Sequence, residues 1–433
     1  MSDSNSAEIM LGWARPAQQV IGFHAAQGIA DADAVCASSG HLMTIAATGS
    51  GKGVSSVIPT LLSYSGTAVV IDPKGENYAV THKAREAMGH TVVLYDPFAL
   101  TGAESCGFNP MSVLDPGSAN LLDEARSLAL NLFGDTSTTA DPFWDRAAIR
   151  LLTTLIVQVV YEEAPACRNL KQVLTLLALP LEQLRMRIQQ FIGTAPGRDF
   201  AHCLMHLDVA EKTASCIVEV ARTGVGYLQS PSVLRSLDVT GFDLTALRQG
   251  QPLTLYLVVP PHKLQSHSGL LRSVLGSLCS LIVQRKASPA LETLFILDEA
   301  AQLGQMPQLE TAITLLRGYG VRVWTFWQDV AQLKATYPGS WPTLVNNCKV
   351  LQMFGFSNAV SVRQAEELTG FSGSLLTLNA DEQLVQIAGK PAYLCRRVNY
   401  LLDAPYQGRY SPNPFYTGHT QNNEIDALEG DLL

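Results

Sequence analysis

No stretch of this 433-residue chain is apolar for long enough to cross a membrane. The longest mostly apolar run, Gly269 to Val283, is interrupted by Arg272 and falls short of the roughly 20 residues that a helical span requires. Met1 to Glu8 lack the basic segment and apolar core of a signal peptide, so the chain is expected in the cytosol. Charge is sparse too. Charged residues make up 16% and the formal net charge is −8, which excludes coating of nucleic acid by bulk electrostatics and restricts any DNA contact to a local patch. The eight cysteines contain no C-x-x-C pair, which excludes a disulfide framework or a structural zinc site and leaves them as reduced core residues. With 47% hydrophobic residues disorder is excluded as well, and the length suffices for two globular units.

What the chain does have is a series of short, nearly continuous apolar runs: His41–Ala47, Thr67–Asp72, Thr91–Asp96, Leu253–Val259, Thr293–Asp298, Val321–Trp327 and Lys349–Gly355. Such runs predict strands buried on both faces. Helical patterns at Lys52–Ser63, His262–Arg285 and Pro307–Arg317 separate several of them, the alternation of an α/β fold with a central, mostly parallel sheet. Between about Asn120 and Thr240 the strand signal gives way to helical periodicity at Leu121–Phe133, Phe143–Glu162, Leu181–Ile192 and Glu211–Tyr227. Residues 118–240 are therefore predicted as an all-α domain. It interrupts a nucleotide-binding domain of residues 1–117 and 241–433, with punctuation by Asn109-Pro110, Asp115-Pro116-Gly117, Gly241 and Gly250. From about residue 412 the tail turns polar and acidic and is expected to be flexible.

Ala46-Ala47-Thr48-Gly49-Ser50-Gly51-Lys52-Gly53 follows a predicted strand and opens a predicted helix, as a phosphate-binding loop must. Gly49 and Gly51 let backbone N–H groups approach phosphates, and Lys52 can reach the β- and γ-phosphates of ATP. Thr48, Gly49, Ser50, Gly51, Lys52, Gly53 and Val54 are thus the nucleotide-contacting residues. Two positions depart from the usual loop: Ala46 replaces its first glycine, and Gly53 replaces the hydroxyl residue that ligates Mg2+. Ser55, Ser56, Thr48 or water remain alternatives for that ligand. The run Thr293–Leu297 then delivers Asp298 and Glu299 to a strand tip, a Walker B pattern. Asp298 would hold Mg2+ through water while Glu299 polarises the attacking water. Gln328, after Val321–Trp327, is either a γ-phosphate and water contact or a polar helix cap. Arg317 is a candidate arginine finger for a neighbour's nucleotide in a ring, Arg322 is its rival, and a plain surface arginine is the alternative for both.

Taken together, TGSGKGVSSVIPT from Thr48, IDPKGEN from Ile71, Phe108-Asn109-Pro110, LDEAAQL from Leu297 and RGYGV from Arg317 occur in the order and form that resembles the type IV secretion and conjugation coupling ATPases. The resemblance extends from Gly12 through Gly370, and Gly53 after the lysine looks like that family's own variant. It implies a RecA-like fold with an inserted all-α domain, assembled as a homo-hexamer. Such a ring would use ATP and Mg2+ to deliver relaxase-bound DNA or effector proteins to a secretion channel. It also implies Lys52, Asp298, Glu299 and Gln328 at the nucleotide and Arg317 acting in trans. Lys74 and Glu76 belong to the shared signature without an assigned role, a turn after the strand being sufficient. Most such proteins carry an N-terminal membrane anchor that this sequence does not display; it is either a truncated form or an anchorless one, and an anchorless form is expected to be recruited to the inner membrane face by an anchoring partner.

A nucleotide-switched docking platform with little turnover, and a double-stranded DNA pump of the FtsK type, are the alternative functions. The pump would need a dedicated DNA-reading domain, which the sequence does not show. Trp144, Arg146, Arg150 and Arg222 in the helical region would face either a substrate channel or solvent among their acidic neighbours Asp141, Asp145 and Glu219. Binding to single strands is expected to be weak and salt-sensitive.

Overall fold

All seven predicted strands form. The computed structural model describes residues 8–14, 33–133, 142–205 and 207–415. It contains one sheet with β1 (Ile9–Ala14), β2 (Ala34–Ala37), β3 (His41–Ala46), β4 (Ala68–Ile71), β5 (Thr91–Tyr95), β6 (Leu253–Leu257), β7 (Thr293–Leu297), β8 (Val321–Trp327), β9 (Cys348–Phe354), β10 (Glu382–Ile387) and β11 (Tyr393–Arg397). Their order is β2-β1-β11-β10-β9-β3-β8-β7-β4-β6-β5. From β9 to β5 every pairing is parallel, and those strands are buried almost throughout. From β2 to the β10–β9 pair the pairing is antiparallel. This wing went unread because its strands are short and mix polar with apolar residues, as in Glu382–Ile387 (EQLVQI) and Tyr393–Arg397 (YLCRR).

A buried polar chain crosses from the wing into the parallel sheet. Trp324 Nε1 donates to Thr44 Oγ1 at 2.8 Å, and Thr44 Oγ1 donates to Gln352 Oε1 at 2.8 Å. Gln352 Nε2 donates to Gln383 Oε1 at 2.6 Å, and Gln383 Nε2 reaches the Leu11 carbonyl at 2.7 Å. Each amide thus finds partners on neighbouring strands, the condition under which buried polar groups fix a register rather than weaken it.

Between Tyr95 and Leu253 the described residues contain no strand. The helices there include Leu121–Leu132, Pro142–Glu162, Leu181–Ile192 and Glu211–Gly224, as the periodicity predicts. The chain enters and leaves through a stitched neck, where the Phe108 N–H donates to the Ser236 carbonyl at 2.7 Å and the Gly241 N–H to that of Gly107 at 2.9 Å. Helix Ser268–Val283 lies against Leu121–Leu132. Its buried Arg272 donates to the carbonyls of Asn131 (3.3 Å), Phe133 (2.9 Å) and Leu303 (2.9 Å). Arg150 is exposed, and Arg222 is partly buried beside the acidic neighbour Glu219, which it meets at 2.6 Å. Arg150 donates to the carbonyls of Cys203 and Leu204, and Arg222 to those of Leu177 and Leu179, tying adjacent helices together.

Three predicted helices are shorter than their patterns. The segment from Pro307 is helical only to Thr314, because Gly320 at φ 71° closes a tight turn at Leu316–Tyr319 ahead of β8. The segment from His262 divides into Pro261–Leu264 and Ser268–Val283, and that from Lys52 opens with a π-helical turn at Gly53–Val57 before Ile58–Ser63. All eight cysteines are free. Among the described residues no helix is long and apolar enough to cross a membrane. The acidic tail beyond Phe415 lies outside the described residues.

Candidate nucleotide site

In parallel sheets covered by helices, ligands gather beyond the carboxyl ends of the strands. That edge is where the predicted residues converge. β3 runs into the loop Ala47–Lys52, with Gly49 at φ 77° and Gly51 at φ 87°, backbone angles that favour glycine. β8 lies between β3 and β7, so Gln328 at its tip falls between the loop and the acidic pair. Lys52 Nζ contacts Glu299 Oε1 at 3.1 Å, and Gln328 Nε2 donates to Glu299 Oε2 at 2.9 Å. Both oxygens of Glu299 are therefore held, one by the phosphate-loop lysine and one by the amide. Its own backbone is left-handed at φ 58°, a strained conformation for a non-glycine residue and a frequent mark of functional sites. The helix-cap alternative for Gln328 does not hold, because Asp329 caps Val330–Thr336 by accepting from the Gln332 N–H at 2.7 Å.

Asp298 fits a cation. Its Oδ1 is buried with no hydrogen-bond partner, and burial pushes the carboxyl up to about 6, with Lys52 pulling down and Glu299 pushing up. A desolvated carboxylate oxygen lacking a partner gains most from a positive charge. Asp72, at the end of the adjacent β4, accepts from the Tyr78 N–H at 2.8 Å and from Asn77 Nδ2 at 3.4 Å. Burial pushes it up to about 7 against backbone hydrogen bonds from Tyr78 and Asn77, with Asp298 and Glu76 adding to the rise. Sequence reasoning placed Asp72 in a strand and assigned it no role.

Of the three hydroxyls considered for Mg2+, Ser56 is turned away, donating to Gln352 Oε1 at 3.3 Å inside the sheet. Ser55 donates to the Gly51 carbonyl at 2.9 Å within the first turn, and Thr48 is exposed at the loop tip. A Cβ on Gly53 would stand 3.9 Å from Glu76 Oε1, so an acid from the IDPKGEN segment borders the place where a hydroxyl would otherwise project. Val54 packs into an apolar cluster beside Ile58 and Tyr400.

The structure does not bring Arg317 to this group. It is exposed before the start of β8, at the opposite edge of the sheet. Arg322 is ruled out as a finger: it is 0% exposed, with Nε donating to the Gly40 carbonyl at 2.9 Å and Nη2 to that of Ala37 at 3.0 Å.

Beside the loop opens a cavity of about 510 Å³, lined by Gly49, Ser50, Gly51 and by the C-terminal Asn379, Asp381 and Arg397 among others. Sequence reasoning missed this wall. A Cβ on Gly355, at the end of β9, would stand 2.7 Å from Ser50 Cβ, so only glycine lets β9 approach the loop so closely. The signal that could have found Arg397 is the pair Arg396-Arg397 at the end of a short apolar run.

Residues 15–372 match the family described as Type IV secretory system Conjugative DNA transfer. The conjugal transfer protein TraG of Escherichia coli is 26% identical over 76% of this chain and 55% of its own length. The protein VirD4 of Rhizobium radiobacter is 30% identical over 69% of this chain and 43% of its own. The chain spans about half the length of the curated relatives it matches. In fold it is similar to the plasmid coupling protein TrwB solved with ADP and Mg2+, with a TM-score of 0.64 at 18% identity over 82% of this chain and 84% of that one.

Proposed function

Because the chain belongs to the type IV secretory system conjugative DNA transfer family, we propose that it is an ATP-dependent coupling motor serving a type IV secretion channel. The convergence of Lys52, Glu299 and Gln328 at one strand edge carries this reading. The Gly49–Gly51 backbone and Lys52 bind the phosphates, and Glu299 orients and deprotonates the attacking water. Lys52 contacts Glu299 Oε1 at 3.1 Å, so a γ-phosphate that claims the lysine would leave Oε1 to the water and couple binding to activation of the base. Mg2+, as in the TrwB complex with ADP and Mg2+, would be held from Asp298 and would neutralise charge developing on the phosphates. Gln328 reports the γ-phosphate to β8. Residues 118–240 recognise cargo, either relaxase-bound DNA or effector proteins, and residues 1–117 with 241–433 form the nucleotide unit. The working assembly is a homo-hexamer with Arg317 reaching a neighbour's nucleotide, recruited to the inner membrane face by an anchoring partner and binding single-stranded DNA weakly.

The test is phosphate release from ATP by the chain and by Lys52→Ala. The variant should lose on the order of a hundredfold, because a positioned cation supplies several kcal/mol to phosphoryl transfer; equal rates overturn the proposal. Gly53 favours a second reading, a nucleotide switch that docks cargo with little turnover. Tight ADP binding with no phosphate release at any protein concentration selects it.

A further inference from the structure

Arg397 comes from β11, beyond residue 372 where the family match ends. Its Nη1 donates to the Ser50 carbonyl at 2.5 Å, its Nη2 to the Ala380 carbonyl, and its guanidinium lies 4.5 Å from the centroid of the Phe354 ring. The Ser50–Gly51 peptide it grips is free to turn over. Rotation there changes ψ of Ser50 and φ of Gly51, and Gly51 tolerates either sign of φ. The bonds inside the loop do not prevent this rotation: the Ser50 N–H (3.2 Å) and Oγ (2.5 Å) both reach the Ala47 carbonyl and leave the next peptide free. A trans peptide is planar, with its C=O and N–H pointing opposite ways. Holding the Ser50 carbonyl toward Arg397 therefore fixes the Gly51 N–H pointing the opposite way within that plane. In a phosphate-binding loop such N–H groups are what the anion meets.

We propose that Arg397 is a positioning residue for the phosphate cradle: its fork locks the Ser50–Gly51 peptide so that the Gly51 N–H is presented to the nucleotide phosphates. This rests on the nucleotide reading above. The same bonds tie the cradle to the antiparallel wing, since Nη2 ends on Ala380, just ahead of β10.

The experiment measures ADP affinity by calorimetry for the chain and for Arg397→Ala, Arg397→Lys and Lys52→Ala, with thermal melts of each. Arg397→Ala should bind ADP on the order of tenfold more weakly, the worth of one charge-assisted hydrogen bond. Lysine, which lacks the fork, should recover only part. Millimolar guanidinium chloride should restore affinity to Arg397→Ala and leave the parent chain unchanged, an effect that a packing role does not produce. Unchanged ADP affinity in Arg397→Ala, with Lys52→Ala weakened, overturns this inference and spares the nucleotide reading. Unchanged affinity in both variants overturns the nucleotide reading itself. Should Arg397→Ala fail to fold, full ADP affinity in Arg397→Lys counts against the locked peptide.

Discussion

Two arginines on either side of Gly320 carry the same charge into opposite surroundings. Arg322 is enclosed, bonded to the Gly40 and Ala37 carbonyls and 4.0 Å from Glu292. Arg322→Met would leave those acceptors and that carboxylate without their donor and should cost about 3 kcal/mol in chemical denaturation. Arg317→Ala, at an exposed turn, should leave the isolated chain's stability within about 0.5 kcal/mol. The sequence offered both as fingers, yet the strand predicted over Val321–Trp327 already implied that residue 322 is interior. The core of the site was legible because its parts are local in sequence: a glycine loop behind one strand and two acids behind another. The sequence placed Lys52 and Glu299 at one nucleotide, but their contact and the pinning of Glu299 by Gln328 could not be read before β8 was placed between β3 and β7.

Among elements, the join between the parallel sheet and its antiparallel wing is the least legible and the most polar. Gln352 on β9 receives hydrogen bonds from Thr44 and Ser56 and gives one to Gln383. Gln352→Leu keeps the volume and strands all three partners, so it should destabilise the chain by about 3 kcal/mol or more, read from the urea midpoint. A loss below about 1 kcal/mol would mean that the partners find other bonds. Strands buried on both faces announce themselves by unbroken apolar runs, which is why β3 to β9 were found. β1, β2, β10 and β11 carry residues such as Gln383 and Arg397 whose burial depends on neighbours distant in sequence. With them went the C-terminal wall of the cavity. The helical stretch was legible because its apolar periodicity is strong, whereas the arginines pinning it read as free charges until their carbonyl partners were seen.

At the scale of the whole molecule, the candidate nucleotide site and Arg317 lie at opposite edges of the sheet. Lys52, Glu299 and Gln328 lie at the carboxyl ends of the strands, and Arg317 precedes the seven-residue β8 at the other end, about 20 Å away at strand rise. On the proposed reading one copy supplies the finger and another the cradle. Lys52→Ala and Arg317→Ala should then each be inactive alone and regain part of the phosphate release when mixed, because some contacts pair an intact finger with an intact cradle. Mixtures no more active than their components would place Arg317 outside the reaction. Such a contact is head to tail, which propagates unless the rotation closes. An open row always ends on one cradle with nobody to serve it, and the shorter the row, the larger that idle fraction. On that reading closure abolishes the idle end, so the separation of the two edges would penalise partial assemblies and make output a property of completion rather than of copy number.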